Sequence, residues 1–188
     1  MIKFTNELLQ ELSERIYAQN KNVGWWDNPR SFDVIICLIH SEVSEAMEGD
    51  RKNLKDDHLI QYPMCVVELA DTAIRIMDFL GHVQFKFYLT DRNLRFNEYR
   101  FTSLHDALAS IHFNLSVAYD CYKNYNLDET ARFVHLYLQT ALCQCLAAMT
   151  IYFPDLDPLQ IIEEKLEYNK QRLDHKRENR SKQDGKKY

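Results

Sequence analysis

Apolar residues return every third or fourth position along most of this chain, and the places where that rhythm breaks divide it into helices and connections. Leu8, Leu9, Leu12 and Ile16 mark a first helix over 4–18, with Thr5 or Asn6 as its cap. The polar stretch NKNVGWWDNPR interrupts the pattern. Ser31 then caps a second helix through Val34, Ile35, Leu38, Ile39, Val43 and Met47, stopped by Gly49. After the loop RKNLKDDH, Pro63 suits a first turn and opens a third helix that carries Val66, Leu69, Ala70, Ala73, Ile74 and Met77 as far as Gly81. The aromatic and charged segment 83–102 has weak periodicity and is expected to form an irregular or partly helical connector. Ser103 with Asp106 has the form of a capping box for a fourth helix over 104–122, and Asp128 opens a fifth that runs to Tyr152 and is ended by Pro154. Asp157 followed by Pro158 starts a sixth over 159–176, and RENRSKQDGKKY follows as a basic tail over 177–188.

This pattern predicts an all-α helical bundle. It is one domain over 1–176, with a helical hairpin at about 31–82, a second at about 103–152 and a C-terminal helix at about 158–176. Composition narrows the function classes. The 188 residues, 46% hydrophobic and 27% charged, supply a core for one domain. Four Gly and four Pro are too few for the turns of a sandwich or barrel, and the lack of a GxxxxGK[ST] string excludes a Walker-type phosphate loop. A formal charge of −5 argues against a duplex nucleic-acid partner. The N-terminal residues lack an apolar signal core, and no stretch is expected to reach the ~20 apolar residues of a membrane span. Cys37, Cys65, Cys121, Cys143 and Cys145 lie in apolar runs without CxxC spacing, so they read as buried free thiols of a reducing, cytoplasmic setting.

An offset of 72 residues aligns IHSEVSEAME from Ile39 with IHFNLSVAYD from Ile111. The same shift sets Leu69, Ile74 and Met77 opposite Ala141, Leu146 and Met149. Duplication of a hairpin and chance likeness between two amphipathic hairpins both account for it.

The candidate chemistry lies in the first hairpin. Glu42 and Glu45 are three residues apart, as are Glu68 and Asp71, so each pair projects from one helical face. Both pairs sit inside apolar runs, where solvated charge is not expected. If the two helices pack antiparallel, four carboxylates converge, and repulsion and desolvation call for a hard divalent cation such as Mg²⁺ or Mn²⁺. Acidic pairs of this kind are more often plain surface; two pairs on consecutive apolar helices argue against that here. Under the offset the four acids become Asn114, Val117, Thr140 and Cys143, a set that cannot hold a metal, so the second hairpin is expected to cover the first. Glu48 and Asp78 extend the acidic faces and could assist the site, but each reads rather as an ordinary surface or ion-pair residue, and His40 and Ser41 read as packing or capping residues. Trp25 and Trp26, just before the second helix, are either stacking platforms for a nucleobase or a hydrophobic staple, and Tyr168 is a further stacking candidate.

With ExxE followed by ExxD on adjacent helices, the chain resembles the all-α nucleoside triphosphate pyrophosphohydrolases of the MazG and dimeric dUTPase type. The strings GWWDNPRSFDVIICLIHSEVSEAMEGDRK, VVELADTAIRIMDFLGH, KLEYNKQR and the terminal GKKY are similar, in the same order, to MazG-like proteins of phages and some bacteria. The likeness covers about 23–82 and 159–188. It departs from the family pattern after Arg172, which lacks a following Pro, and the expected His-Gly appears only as His175 and a displaced Asp184-Gly185. The resemblance implies that Glu42, Glu45, Glu68 and Asp71 bind Mg²⁺ and that Lys165, Asn169 and Arg172 face a triphosphate. It implies cleavage between the α and β phosphates to a monophosphate and diphosphate, in nucleotide pool control or house-cleaning. A carboxylate not fully committed to metal would accept the proton of the attacking water, and Glu42 or Glu45 is the expected base. The resemblance also implies a homo-oligomer, a dimer before a tetramer. Two other readings compete. A di-iron bundle needs Glu-x-x-His motifs, which do not occur. A non-catalytic helical adaptor, with a structural acidic hairpin, would show neither Mg²⁺-dependent stabilisation nor diphosphate release.

Overall fold

In the computed structural model, which describes residues 4–124 and 127–172, the Thr5 hydroxyl accepts a hydrogen bond from the Leu8 amide at 3.2 Å and begins α1 (Asn6–Asn22). Then come α2 (Phe32–Lys52), α3 (Met64–His82), α4 (Leu104–Asn124), α5 (Leu127–Tyr152) and α6 (Pro158–Gln171), with a 3-10 turn at Phe96–Glu98. Among the described residues there is no named strand, so the fold is all-α as the periodicity predicts. The caps are local and legible. Ser103 Oγ accepts from the Asp106 amide at 3.1 Å while Asp106 reaches back to the Thr102 amide at 2.9 Å, and Asp157 accepts from the Leu159 amide at 3.0 Å ahead of α6.

Several boundaries differ from expectation. α1 continues past residue 18 because Gln19 faces protein rather than water and donates to the Leu166 carbonyl of α6 at 3.1 Å. α2 runs through Gly49 to Lys52, where Asn53 adopts the left-handed conformation (φ 51°, ψ 47°) and ends it. Gly49 serves packing instead: a Cβ there would sit 2.9 Å from the Cys65 nitrogen at the start of α3. α6 ends at Gln171, where Arg172 turns extended (φ −63°, ψ 123°); the rest of the predicted helix, and the tail, lie outside the described residues.

α3 is the hub. α2 packs on α3 and α4, α5 on α4 and α3, and both α1 and α6 lie against α3. Its Leu69, Ile76, Met77 and Leu80 are fully buried. Ser13 Oγ of α1 donates to the Met77 carbonyl at 2.6 Å, and the two helices meet at Gly81, where an added Cβ would lie 2.4 Å from the Ser13 carbonyl oxygen. A backbone atom cannot swing aside. Gly81→Ala is therefore expected to cost roughly 2 kcal/mol in chemical denaturation, the scale of overpacking; an unchanged midpoint would show that the helices do not approach so closely.

The segment 83–102 is a strap rather than a helix, apart from its 3-10 turn. Phe85, Phe87 and Leu89 are buried while Lys86, Tyr88 and Thr90 are exposed, a period of two. Side-chain amides replace a partner strand: Leu89 donates to Asn6 Oδ1 at 2.8 Å and accepts from Asn6 Nδ2 at 2.9 Å. Two further expectations change. Cys37, on the outer face of α2, is exposed, whereas the other four cysteines are buried and none is paired. Arg132–Tyr152 within α5 is long and apolar enough, by length and hydropathy alone, to cross a membrane; in the fold Leu138, Leu142 and Leu146 of this stretch are buried.

His40 of α2 and His112 of α4, which the 72-residue offset equates, meet with their Nδ1 atoms 2.7 Å apart. Asn114, the position equivalent to Glu42, is buried and donates to Gln144 Oε1 at 3.0 Å, so an amide stands where the first hairpin has that acid.

Candidate metal centre and ligand cleft

Packing of α2 on α3 brings together one carboxylate oxygen each from Glu42, Glu68 and Asp71, all within 4.8 Å of one another. Glu42 and Glu68 are 6% and 7% exposed, and Asp71 is part-buried. The i, i+3 spacing of Glu68 and Asp71 puts both on the α3 face turned toward α2. Glu45 stands apart from the other three acids of the sequence pattern. It lies one turn along from Glu42 at the solvent edge, outside the three-oxygen cluster, though within electrostatic reach of Glu42 and Asp71.

Two cations enter the cluster. Arg75, one turn beyond Asp71, donates through Nε to Glu42 Oε1 at 2.6 Å, with its terminal nitrogen at 2.5 Å from the same atom. Lys165, 4% exposed, reaches from α6 to Asp71 Oδ2 at 3.0 Å and to Asp56 Oδ2 at 3.9 Å. α6 is held in register for this contact by Arg15 to Glu163 at 2.5 Å and by Gln61 and Tyr62, which both donate to Glu164. Asp56 is itself oriented by the His58 and Leu59 amides, which donate to its Oδ1 at 2.9 and 2.6 Å.

The balance of charge is uneven. Burial first, then Asp71 and Glu42, push the Glu68 carboxyl up to about 9, so Glu68 holds a proton at neutral pH when no cation is bound. Burial also raises Asp71, against the pull of Lys165. Glu45 is raised by partial burial and then by Glu42. Burial works to lower the Lys165 ammonium, and the combined attraction of Asp71, Asp56 and Glu68 outweighs it, leaving Lys165 above its ordinary value. An all-oxygen donor set from two adjacent helices fits a hard divalent cation.

Beside the cluster runs a cleft of about 130 Å³ whose wall includes Asp71, Arg75, Asn169 and Arg172 as well as Trp25, Trp26, Asn20 and Asp78. Asn169 Oδ1 is buried and takes no hydrogen bond. A buried amide atom left unpaired in a cleft wall is suited to a ligand. Trp26 stacks on His82 with centroids 3.8 Å apart and planes 5° apart, and its Nε1 donates to Asp78 Oδ1 at 3.1 Å. Arg30 covers the Trp25 ring at 3.9 Å. Tyr168 does not line the cleft; its ring packs on His58 at 4.4 Å.

Of the sequence candidates, the fold therefore brings Glu42, Glu68, Asp71 and Lys165 into contact distance and sets Asn169, Arg172, Trp25 and Trp26 around one cleft. Glu45 lies at its edge and Tyr168 outside it. Glu48 is an ordinary ion-pair residue, bound to Arg51 at 2.5 Å and to Lys52, as expected. Asp78 is not surface: it is 5% exposed. Arg75 and Asp56 are participants that sequence reasoning did not single out; a charge four residues beyond Asp71 on the same apolar helix was the available signal for Arg75. No family model, no curated protein and no solved structure matches this chain. The resemblance to the MazG type rests on the residue strings quoted for it.

Proposed function

We propose that this chain is a Mg²⁺-dependent nucleoside triphosphate pyrophosphohydrolase that converts a triphosphate and water into a monophosphate and diphosphate. One observation carries the reading: three carboxylate oxygens of Glu42, Glu68 and Asp71 within 4.8 Å, on helices that also wall a cleft with cationic and aromatic side chains. Glu42, Glu68 and Asp71 would hold the ion. When bound, such an ion supplies charge neutralisation and Lewis-acid polarisation at the phosphate. Arg75, Lys165, Asn169 and Arg172 orient the phosphate chain by charge and hydrogen bonding. Glu45 is the general base, since it is raised above the ordinary carboxylate value and takes no part in the three-oxygen cluster, whereas Glu42 is tied to Arg75.

Diphosphate release from the canonical ribo- and deoxynucleoside triphosphates, measured in Mg²⁺ and again in excess EDTA, tests the reading. The expected result is release from at least one nucleotide in Mg²⁺ and none in EDTA. Folded protein that releases diphosphate from no nucleotide would overturn it and favour the adaptor.

A further inference from the structure

Asp78 lies seven residues beyond Asp71 and three beyond Arg75, so it shares their face of α3 about two turns along, some 10 Å up the helix axis. That is about the span between an α phosphate and the far edge of its nucleobase. Asp78 lines the same cleft and is almost wholly buried. Its Oδ1 accepts from Trp26 Nε1 at 3.1 Å, and the Asn20 side chain gives a second hydrogen bond. A carboxylate accepts about four hydrogen bonds, so two directions are left. The same cleft is lined by Trp25, Trp26, Ile35 and Phe79, while Arg75 and Arg30 act electrostatically on the Asp78 carboxylate. A buried carboxylate beside aromatic rings in a cleft wall is a discriminator of hydrogen-bond donors.

We infer that Asp78 determines base specificity: resting on the triphosphate reading, with phosphates near Asp71 and Arg75, its carboxylate accepts, in a direction that Trp26 and Asn20 do not use, from the amino group of cytosine or adenine. A carbonyl at that position, as in uracil or hypoxanthine, would set two acceptors against each other and leave the buried carboxylate unmatched. Cytosine and uracil, or adenine and hypoxanthine, differ at the read edge in this one amino-for-oxo exchange and its attendant ring proton. Comparison within each pair isolates the contact.

The test uses the whole chain, without metal, at pH 8, above the value of about 7 to which burial pushes Asp78. Trp25 and Trp26 are the two tryptophans of the sequence, so intrinsic fluorescence reports on this cleft. Titration with CMP, UMP, AMP and IMP should show CMP bound at least ~10-fold tighter than UMP, and AMP tighter than IMP by a similar factor, as for one lost base contact. Asp78→Asn keeps an oxygen for Trp26 and adds a donor; it should narrow both ratios to within about threefold. Equal affinities within each pair, or binding of none of the four, would overturn the inference. So would an Asp78→Asn variant that weakens all four alike, because the carboxylate would then only be holding Trp26. Binding with the stated preference but no diphosphate release from any canonical ribo- or deoxynucleoside triphosphate would defeat the hydrolase reading and leave this assignment standing.

Discussion

Glu45→Gln should slow diphosphate release by about 10²–10⁴-fold, the usual effect of removing a general base, while Mg²⁺ still raises the melting temperature of the variant. The reason is a division of labour among acids that look alike in sequence. Glu42 receives two contacts from Arg75, and Glu68 and Asp71 complete the tight cluster with it. Glu45 alone of the four faces solvent, where an attacking water can enter. Asp71→Asn gives the contrast. It should remove both activity and metal-dependent stabilisation, since it takes a charge from the cluster itself and also from Lys165. Turnover by Glu45→Gln within threefold of the parent, with Glu42→Gln inactive, would transfer the base role to Glu42.

Glu68→Gln is expected to stabilise the metal-free protein, and increasingly so as pH rises. The Glu68 carboxyl is raised from an ordinary 4.5 to about 9 in the folded state, by burial, then by Asp71 and Glu42. Between those values the unfolded chain releases a proton that the folded protein keeps. Folding stability therefore falls as pH climbs from about 4.5 and levels off above about 9. At about 1.4 kcal/mol per unit, the penalty at pH 7 is of order 3 kcal/mol. Glutamine cannot ionise, and its amide can donate to Glu42 as the protonated carboxyl does. Urea denaturation in EDTA should give similar stabilities for parent and variant at pH 5 and a gap of a few kcal/mol in favour of the variant at pH 8. In Mg²⁺ the order should reverse, since the parent gains binding energy that the variant lacks. A gap independent of pH would mean that Glu68 does not face its fellow acids.

The caps of α1, α4 and α6 were legible because each is a contact between residues two to four apart, written wholly in local sequence. The acidic pairs were legible for the same reason: i, i+3 spacing determines a shared face whatever else the chain does. Gly49 misled because glycine has two uses that look the same in a string, ending a helix and letting another backbone approach, and only the position of Cys65 distinguishes them. The strap after α3 was obscure because its hydrogen bonds come from Asn6, Gln10 and Gln139, far away in the chain.

The amino-acid sequence by itself determined an all-α chain, the helix starts and the acids that share a face, all products of backbone periodicity and short-range capping. Tertiary structure alone decided which charges are buried, which cation answers which acid, and where an indole meets a carboxylate. Lys165 against Asp71, Arg75 against Glu42 and Trp26 against Asp78 are unions of separate helices and loops, and the energy of a buried charge depends on what the fold sets beside it.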